Sequence, residues 1–134
     1  MKEFEKISFF NSSMIIDCEN VILTKLDWNI MFAIPYYFIE LMIEEGIVYL
    51  DDQILCKKLS QNEIDNLVLT VNAVHEMTLY LNEMSKYSSI VIALTCIIIS
   101  RKICNVRPLW NNKFSELTGL KYEDISSCHK ELIE

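Results

Sequence analysis

Apolar residues follow helical spacing in the segment from residue 14 to residue 26. On a helix of 3.6 residues per turn they form one broad arc, made of Met14, Ile15, Cys18, Val21, Ile22, Leu23 and Leu26. Three polar residues lie opposite this arc: Asp17, Asn20 and Thr24. Glu19 falls inside the arc, where a buried and unpaired carboxylate would be strongly unfavourable. The pattern predicts a helix that ends near Lys25, and it raises the question of what Glu19 pairs with.

Start and stop signals predict where the first three helices begin and end. Candidate caps for the first helix are Asn11, Ser12 and Ser13. After an irregular connector, Pro35 suits the first turn of a second helix that Gly46 could terminate. Residues 48–59 are ambiguous and fit a loop or a short turn of helix. A Ser60–Glu63 capping box opens the longest predicted helix, whose apolar positions are Ile64, Leu67, Val68, Val71, Val74 and Leu81.

The most apolar segment, residues 88–105, predicts a buried central helix. Its β-branched content would also suit a buried strand, which stays open as an alternative. Small side chains at spacings of 4, 3 and 4 favour the helix, because they let a second helix approach closely: Ser89, Ala93, Cys96 and Ser100. A short helix that ends at Gly119 follows, and then a last helix over residues 122–134 with acidic residues in its first turn. The pattern as a whole predicts about six helices and no confident strand.

Composition supports a helical domain of ordinary size. The chain has 134 residues, which is enough to bury a core without metal or disulfide staples. Hydrophobic residues make up 51% of it, and only two glycines and two prolines are available for turns. Such a shortage of turn residues argues against a multistranded sheet.

Charge and cysteine content narrow the classes of partner and compartment. The net charge is −7, whereas a phosphate-binding surface needs basic excess, so we expect no nucleic-acid partner. Five scattered cysteines without a C-x-x-C pair indicate reduced thiols, and hence a location in the nucleus or cytoplasm. The first ten residues do not resemble a secretory signal. The longest apolar run is about half of what a membrane span needs, so we expect no membrane partner.

Candidate catalytic groups are few and poorly placed. His75 has no second metal ligand one turn away and fits a solvent-exposed or structurally bonded imidazole better. Cys128 and His129 are adjacent, and adjacent residues on a helix do not face each other. The acidic pairs Glu44-Glu45 and Asp51-Asp52 fit a solvated surface. We therefore expect no enzyme activity, no catalytic or metal-binding residue and no cofactor.

Two ordered blocks of the sequence resemble cyclins. The first resembles the junction between the two helical boxes of that family, and its matching residues are Glu19, Ile22, Leu23, Leu26, Trp28, Ile30, Pro35, Tyr36 and Phe38. The second is similar to the later part of the C-terminal box, with Trp110, Leu117, Thr118, Gly119, Leu120, Glu123, Asp124, Ile125 and Cys128. Between the blocks, residues 87–103 look like the central small-residue helix of that box. The resemblance covers nearly the whole chain.

The resemblance implies an all-α, cyclin-like helical box of about five to six helices. Residues 1–30 would be the last helix of a first cyclin box with the start of the linker, and residues 31–134 a C-terminal cyclin-box-like domain. The remaining helices of the first box have no counterpart in this sequence, and Ile34 stands where the family usually has threonine. The chain would then be either a fragment or a reduced, single-box protein. In either case we expect exposed apolar surface and self-association.

The resemblance also implies a function. It predicts a regulatory subunit that binds and activates a cyclin-dependent protein kinase, with a kinase interface at Glu19, Leu23, Trp28 and Ile30. The matching glutamate in cyclins reaches towards the N-terminal end of the kinase's regulatory helix. Alternatively, Glu19 pairs with a basic residue of this chain, and Leu23, Trp28 and Ile30 belong to its own core. Two other functions stay open: a transcription-factor-IIB-like core on DNA, and a helical scaffold without a kinase partner.

Overall fold

The computed structural model describes residues 11–30, 32–45 and 47–133, and it divides the chain into two compact units, Met1–Phe32 and Ala33–Glu134. The first unit contains helix α1, Ser12–Lys25. The second contains helices α2, Pro35–Glu45, α3, Gln61–Thr78, α4, Ser89–Ile103, α5, Asn112–Thr118, and α6, Tyr122–Ile133. Six α-helices in the described ranges confirm the predicted all-α, cyclin-like fold.

Helix α4 forms the centre of the second unit. Helices α2, α3 and α6 all pack against it, and ten consecutive residues, Ile92 to Arg101, are buried. The core around it includes Ile39, Leu67, Val71, Leu94, Ile97, Phe114 and Ile125. The helix prediction for this segment is therefore correct, and the strand alternative is wrong. A helix that is apolar nearly all round is stable only when it is covered on every side, as α4 is.

Helix α3 begins as its sequence predicts but ends earlier. The Glu63 carboxylate accepts hydrogen bonds of 2.7 Å from both the backbone N–H and the hydroxyl of Ser60, which confirms the capping box. The helix stops at Thr78, whose hydroxyl donates to the His75 carbonyl. The next N–H groups bond three residues back, and a 3₁₀ helix, Asn82–Lys86, follows. Leu81, predicted to lie on the apolar face, is consequently outside the helix and 38% exposed.

The ambiguous segment between α2 and α3 contains a small antiparallel hairpin. Strand β1, Gln53–Ile54, pairs with β2, Lys57–Lys58. Neither predicted form, a loop or a turn of helix, anticipated this pair. The turn between the strands places Leu55 and Cys56 at φ of 49° and 62°. Leucine and cysteine do not favour these left-handed conformations, so this segment carries no hairpin signal of the usual Asn-Gly kind.

A buried ion pair joins this hairpin segment to α4. Arg101 Nη1 lies 2.8 Å from Asp52 Oδ2, and both side chains are fully shielded from solvent. The same guanidinium donates to the carbonyls of Ile47, at 3.1 Å, and Pro108, at 2.7 Å. The prediction of a solvated Asp51-Asp52 pair is therefore wrong for Asp52, although Asp51 is exposed. A buried carboxylate of this kind needs a paired cation, and Arg101 supplies it.

The remaining boundaries agree with the sequence. Helix α2 begins at Pro35, while the predicted termination at Gly46 lies outside the described residues. Helix α5 is followed by Gly119 at a φ of 72°, which is the left-handed conformation that glycine adopts readily. Helix α6 carries Glu123 and Asp124 in its first turn, where the helix dipole favours acidic side chains.

Candidate functional site

The predicted interface residues lie on α1 and on the turn that follows it. Asn11 caps this helix, because its side-chain oxygen accepts a 2.9 Å hydrogen bond from the backbone N–H of Met14. The hydroxyl of Ser13 donates to the same oxygen at 3.1 Å. Of the three predicted caps, Asn11 is thus the one that fills the position.

The helix ends in a Schellman motif built without glycine. The N–H of Asp27 donates to the Thr24 carbonyl at 3.1 Å, and the N–H of Trp28 donates to the Leu23 carbonyl at 2.9 Å. Asp27 has a φ of 51° and Trp28 a φ of 57°. A bulky residue at positive φ is uncommon and costs backbone energy, and such positions are concentrated at functional sites. The turn fixes the direction in which the chain leaves the helix at Trp28.

The side chains of this site are accessible rather than buried. Trp28 is 63% exposed and Ile30 is 56% exposed, whereas Leu23 is half-buried. Glu19 is exposed as well, and α1 has no buried residue. The assignment of Trp28 and Ile30 to this chain's own core therefore does not match their exposure.

What Glu19 pairs with is answered only in part by the described residues. In residues 11–30, 32–45 and 47–133 the ion pairs are Lys86–Glu131, Arg101–Asp52 and Lys113–Glu116, so Glu19 takes part in none of them. It stands one helical turn before Leu23 on the same face, and both residues line an open groove together with Ile15, Cys18 and Ile22. The carboxylate thus borders an exposed apolar surface.

The four predicted residues follow one another along α1 and the segment after it. Glu19 and Leu23 are adjacent on α1, and the backbone hydrogen bond described above ties Trp28 to Leu23. Ile30 follows, with its N–H donating to the Trp28 carbonyl at 3.1 Å. Whether the four residues contact a kinase stays a prediction.

Two cysteines of the second unit, Cys96 and Cys128, are poor nucleophiles. Burial raises the pKa of Cys96 to about 12, and it also raises the pKa of Cys128. A nucleophilic cysteine needs a lowered pKa and access to its substrate. Both thiols lie in the core where α4 and α6 meet, so packing is the role that their surroundings fit.

The histidines are buried or half-buried, and their surroundings lower their pKa values. Only 7% of His75 is exposed, and its Nε2 has no hydrogen-bond partner among the described residues. Burial lowers the pKa of His75, and Glu76 offsets part of this effect. For His129, burial and then the charge of Lys102 lower the pKa. The solvent-exposed imidazole that was one of the two expectations for His75 is therefore wrong. The ring packs beside Tyr36, with centroids 6.0 Å apart.

Metal binding and membrane insertion are two other classes of function on which the described residues bear. No group of three or more His, Cys, Asp and Glu side chains is placed to hold a metal ion in those ranges. Among the same residues, none of the helices combines the length and the apolar character needed to cross a bilayer.

Comparison with known proteins supplies the family. Residues 33–134 match the family model described as cyclin, C-terminal domain. Neither the comparison with curated proteins nor the comparison with solved structures gives a match. The matched residues coincide with the second compact unit, and such domains occur in regulatory, non-catalytic proteins that act through a protein partner. The chain therefore belongs to the cyclin family and carries a cyclin C-terminal domain with a cyclin-type regulatory role.

Proposed function

We propose that this chain is a cyclin-type regulatory subunit, or part of one, that binds and activates a cyclin-dependent protein kinase. The observation that carries the proposal is the exposed Glu19 carboxylate, which is unpaired in the described part of the chain and borders exposed apolar side chains. The cyclin domain over residues 33–134 supports it. The proposal assigns the contact to Glu19, Leu23, Trp28 and Ile30.

The carboxylate suits one particular feature of a kinase. The N-terminus of an α-helix presents free N–H groups and the positive end of the helix dipole, and both favour a negative charge. The regulatory helix of a kinase has such an end. In the proposed complex Glu19 accepts hydrogen bonds there, and Leu23 contributes apolar contact one turn later.

Trp28 and Ile30 supply the apolar part of the proposed contact. Large exposed side chains at a structurally fixed position are typical anchors of an interface, and tryptophan is enriched among residues that dominate binding energy. The Schellman turn holds the backbone of Trp28 in place before binding, which reduces the entropy lost on association. The positive φ of Trp28 is consistent with this role.

The proposed mechanism requires no catalytic group from this chain. A kinase is active when an ion pair between a strand lysine and a glutamate of its regulatory helix orients ATP. A subunit that binds this conformation more tightly than the inactive one shifts the population towards it. We also propose that residues 1–30 correspond to the last helix of a first cyclin box. Roles in the cell cycle and cell division, and a nuclear or cytoplasmic location, belong to the same proposal.

The decisive experiment compares two charge reversals on the same helix. Glu19→Lys places a cation where the proposal needs an anion, and Asp17→Lys makes the same change on the opposite face of α1. Each variant, in the longest available reading frame, is tested for binding to a panel of cyclin-dependent kinases by surface plasmon resonance. We expect Glu19→Lys to weaken binding by about 2–5 kcal/mol, since it removes one partner of a desolvated charged contact. Asp17→Lys should bind as the parent does.

Four outcomes would contradict the proposal in different ways. Equal binding by both variants would remove Glu19 from the interface. A loss of thermal stability in Glu19→Lys, with kinase affinity per folded molecule unchanged, would indicate an ion pair within the chain. Absence of binding to every kinase would favour the scaffold, whereas a salt-dependent shift of duplex DNA would favour the transcription-factor-IIB-like function, which the charge of −7 opposes.

A further inference from the structure

A row of polar side chains crosses the hairpin segment of the second unit. Gln53 of β1 pairs with Lys58 of β2, and on its other side it forms an antiparallel bridge with Arg107. The bridge consists of two backbone hydrogen bonds, one of 2.8 Å from the Gln53 N–H and one of 2.9 Å from the Arg107 N–H. Residues directly opposite each other in paired strands place their side chains on the same face. Lys58, Gln53 and Arg107 therefore form one row, which we call the basic row.

The two cations of the basic row have no counter-ion in the described part of the chain. All three side chains of the row are exposed. Within residues 11–30, 32–45 and 47–133, neither Lys58 nor Arg107 takes part in an ion pair or a side-chain hydrogen bond. Neutral Gln53 stands between them, so the two like charges are two strand spacings apart, which is about 10 Å between Cα atoms. The row thus presents two separate positive charges to solvent.

The sequence around the basic row is free of acidic residues, unlike the chain as a whole. Residues 53–62 and 101–115 contain no Asp or Glu, yet they hold six of the twelve basic residues. Two of the six are paired, Arg101 with Asp52 and Lys113 with Glu116. The other four are exposed and form no ion pair with the described residues. A local basic surface on a chain with a net charge of −7 is complementary to an acidic partner.

An open pocket lies beside the basic row. Lys58 lines it together with four apolar side chains, which are Val48, Tyr49, Leu50 and Leu59. Its volume is about 320 Å³, at the lower end of the roughly 300–1,000 Å³ that ligand sites enclose, so it has room for one large apolar side chain. The carboxylate on its wall belongs to Asp52 and is already paired with Arg101. Lys58 is therefore the charge that the pocket offers to a ligand.

The hairpin holds the basic row in a fixed position. Its turn residues Leu55 and Cys56 have φ values of 49° and 62°, and backbone strain of this kind persists only where the surrounding structure fixes it. One fixing contact is the buried Asp52–Arg101 pair directly before β1, and another is the bridge to Arg107. A surface that is fixed before binding loses less entropy on association.

We propose that the basic row and the pocket beside it bind an acidic segment of another protein that presents two carboxylates and one large apolar side chain. The apolar side chain enters the pocket, the carboxylates pair with Lys58 and Arg107, and the Gln53 amide donates a hydrogen bond between them. The site uses no residue of α1, so this interaction goes beyond the proposed kinase contact.

Two other occupants fit the surface less well. Nucleic acid carries a continuous line of phosphates, and the net charge of −7 repels those that extend beyond the two cations. A second copy of this chain also carries −7, and a contact between two different surfaces of one chain builds open chains unless its rotation closes a ring. A short acidic segment of another protein avoids both difficulties.

The test uses short fluorescent peptides in a Gly-Ser background, each with two glutamates and one phenylalanine on either side of them. The glutamates are placed at every separation from adjacent to four apart, and binding to the full chain is measured by fluorescence polarisation. We expect the separation of three to bind best, because in a polyproline II segment residues three apart share one side and lie about 9 Å apart. Replacement of both glutamates by glutamine, or of the phenylalanine by serine, should abolish binding.

Matched variants of the chain separate a docked peptide from a diffuse effect of charge. Lys58→Glu and Arg107→Glu should each weaken binding by about tenfold or more. Lys130→Glu makes the same charge change beside Glu131, which pairs with Lys86 before α4 begins, whereas the row lies after α4 ends. It should alter affinity less than about twofold.

A second pair of variants tests the apolar pocket. Leu50→Gln changes a wall of the pocket at a residue that is 91% exposed, so it should weaken binding without loss of core packing. Leu79→Gln makes the same substitution at a residue that is 70% exposed and does not line the pocket, so it should leave binding unchanged. Circular dichroism on each variant checks that the fold is retained.

Several results would overturn the proposal. They are failure of every peptide to bind the parent chain, equal losses in Lys58→Glu and Lys130→Glu, and binding that is unaffected by Leu50→Gln. Oligomers that Lys58→Glu disrupts in sedimentation would assign the surface to a second copy, and duplex DNA that binds more tightly than any peptide would assign it to nucleic acid. Kinase binding by Lys58→Glu should equal that of the parent, so failure of this proposal is distinguishable from failure of the one for α1.

Discussion

Helices α1 and α4 have almost the same length and opposite surroundings. Helix α1, with 14 residues, has none buried, and α4, with 15, has ten. Both are rich in apolar residues, but α1 carries Asp17 and Glu19, whereas α4 has no acidic residue and keeps its cations in the last turn. Helix α1 thus combines acidic and apolar residues and exposes both, whereas α4 is covered by three other helices.

The two helices differ in purpose: α4 stabilises the fold, and α1 offers surface for recognition. The side chains of α4 contribute their burial to the free energy of unfolding of the second unit. Those of α1 contribute little to folding and remain available for association, because exposed apolar surface rimmed by polar groups marks interaction sites. We expect stability and association to depend on different helices of this protein, and substitutions in α1 and α4 should show this difference.

The largest loss of stability is expected at the buried Asp52–Arg101 ion pair in the last turn of α4. Asp52→Ala leaves the Arg101 guanidinium buried without its counter-ion, and removal of one member of a buried pair costs about 3–5 kcal/mol. Urea denaturation of the full chain should show this loss. Glu116→Ala serves as the control, since it breaks the exposed Lys113–Glu116 pair, whose side chains are 57% and 60% exposed, and should cost no more than about 0.5 kcal/mol.

A different result would revise the role of the pair. A joint replacement, Asp52→Leu with Arg101→Met, removes both charges and should recover much of the stability lost in Asp52→Ala. If Asp52→Ala costs no more than Glu116→Ala, the ion pair does not connect the hairpin segment to α4 in the way its geometry indicates.

A smaller effect is expected from one pair of isoleucines, and it tests the contrast directly. Ile97→Ala in α4 removes a fully buried side chain and should cost about 2–5 kcal/mol. Ile22→Ala makes the same substitution in α1 at a residue that is 58% exposed, and should stay within about 0.5 kcal/mol. Both values come from denaturant unfolding of the full chain. Equal losses would break the contrast, because they would show that α1 also contributes to the folded core.

Most of the fold could be predicted from periodicity and capping residues. Pro35, the Ser60–Glu63 pair and Gly119 mark helix boundaries that the structure confirms. The small-residue stripe also favoured the correct form of the central segment. These signals are local, so they survive without knowledge of tertiary contacts.

The errors in the sequence-based predictions have two physical causes. Asp52 is buried because Arg101, 49 residues later in sequence, neutralises it, and no local pattern connects the two. The hairpin turn at Leu55 and Cys56 uses left-handed conformations without the residues that normally predict them. His75 is buried beside Tyr36, a contact between two helices that α3 alone does not specify. The errors at Asp52 and His75 concern long-range contacts, whereas the hairpin was missed because its turn lacks the residues that usually signal one.

The candidate sites were predicted unequally. Glu19, Leu23, Trp28 and Ile30 came from the family resemblance, and their kinase contact stays a prediction. The apolar groove lined by Phe38, Leu41, Met42 and Glu45 was not predicted, although these residues follow the i, i+3, i+4, i+7 spacing of one helix face. The basic row was not predicted either, because its residues meet through strand pairing, and its local signal is the lack of acidic residues over 53–62 and 101–115.

The smallest expected effect is a pH dependence that belongs to the second unit alone, since both histidines of the sequence, His75 and His129, lie there. Burial lowers the pKa of His75 below its ordinary value of 6.5, and Glu76 opposes this shift in part. Burial also lowers the pKa of His129. Near pH 6.5 the unfolded chain therefore binds protons that the folded chain does not, so the free energy of unfolding falls as the pH drops below about 6.5. Carboxylates with lowered pKa values, Glu63 and Glu131, act below their ordinary 4.5 and do not overlap this window.

The measurement is the slope of the unfolding free energy between about pH 7 and pH 5.5, obtained from urea titrations of the parent chain, His75→Leu, His129→Leu and the double variant. Each single variant should reduce the slope, and the double variant should flatten it. Slopes rather than absolute stabilities are compared, because leucine also changes the packing beside Tyr36 and Tyr122. An undiminished slope in the double variant would show that groups other than the histidines titrate here. With Ile22→Ala in the double-variant background the slope should stay flat, because α1 contains no histidine.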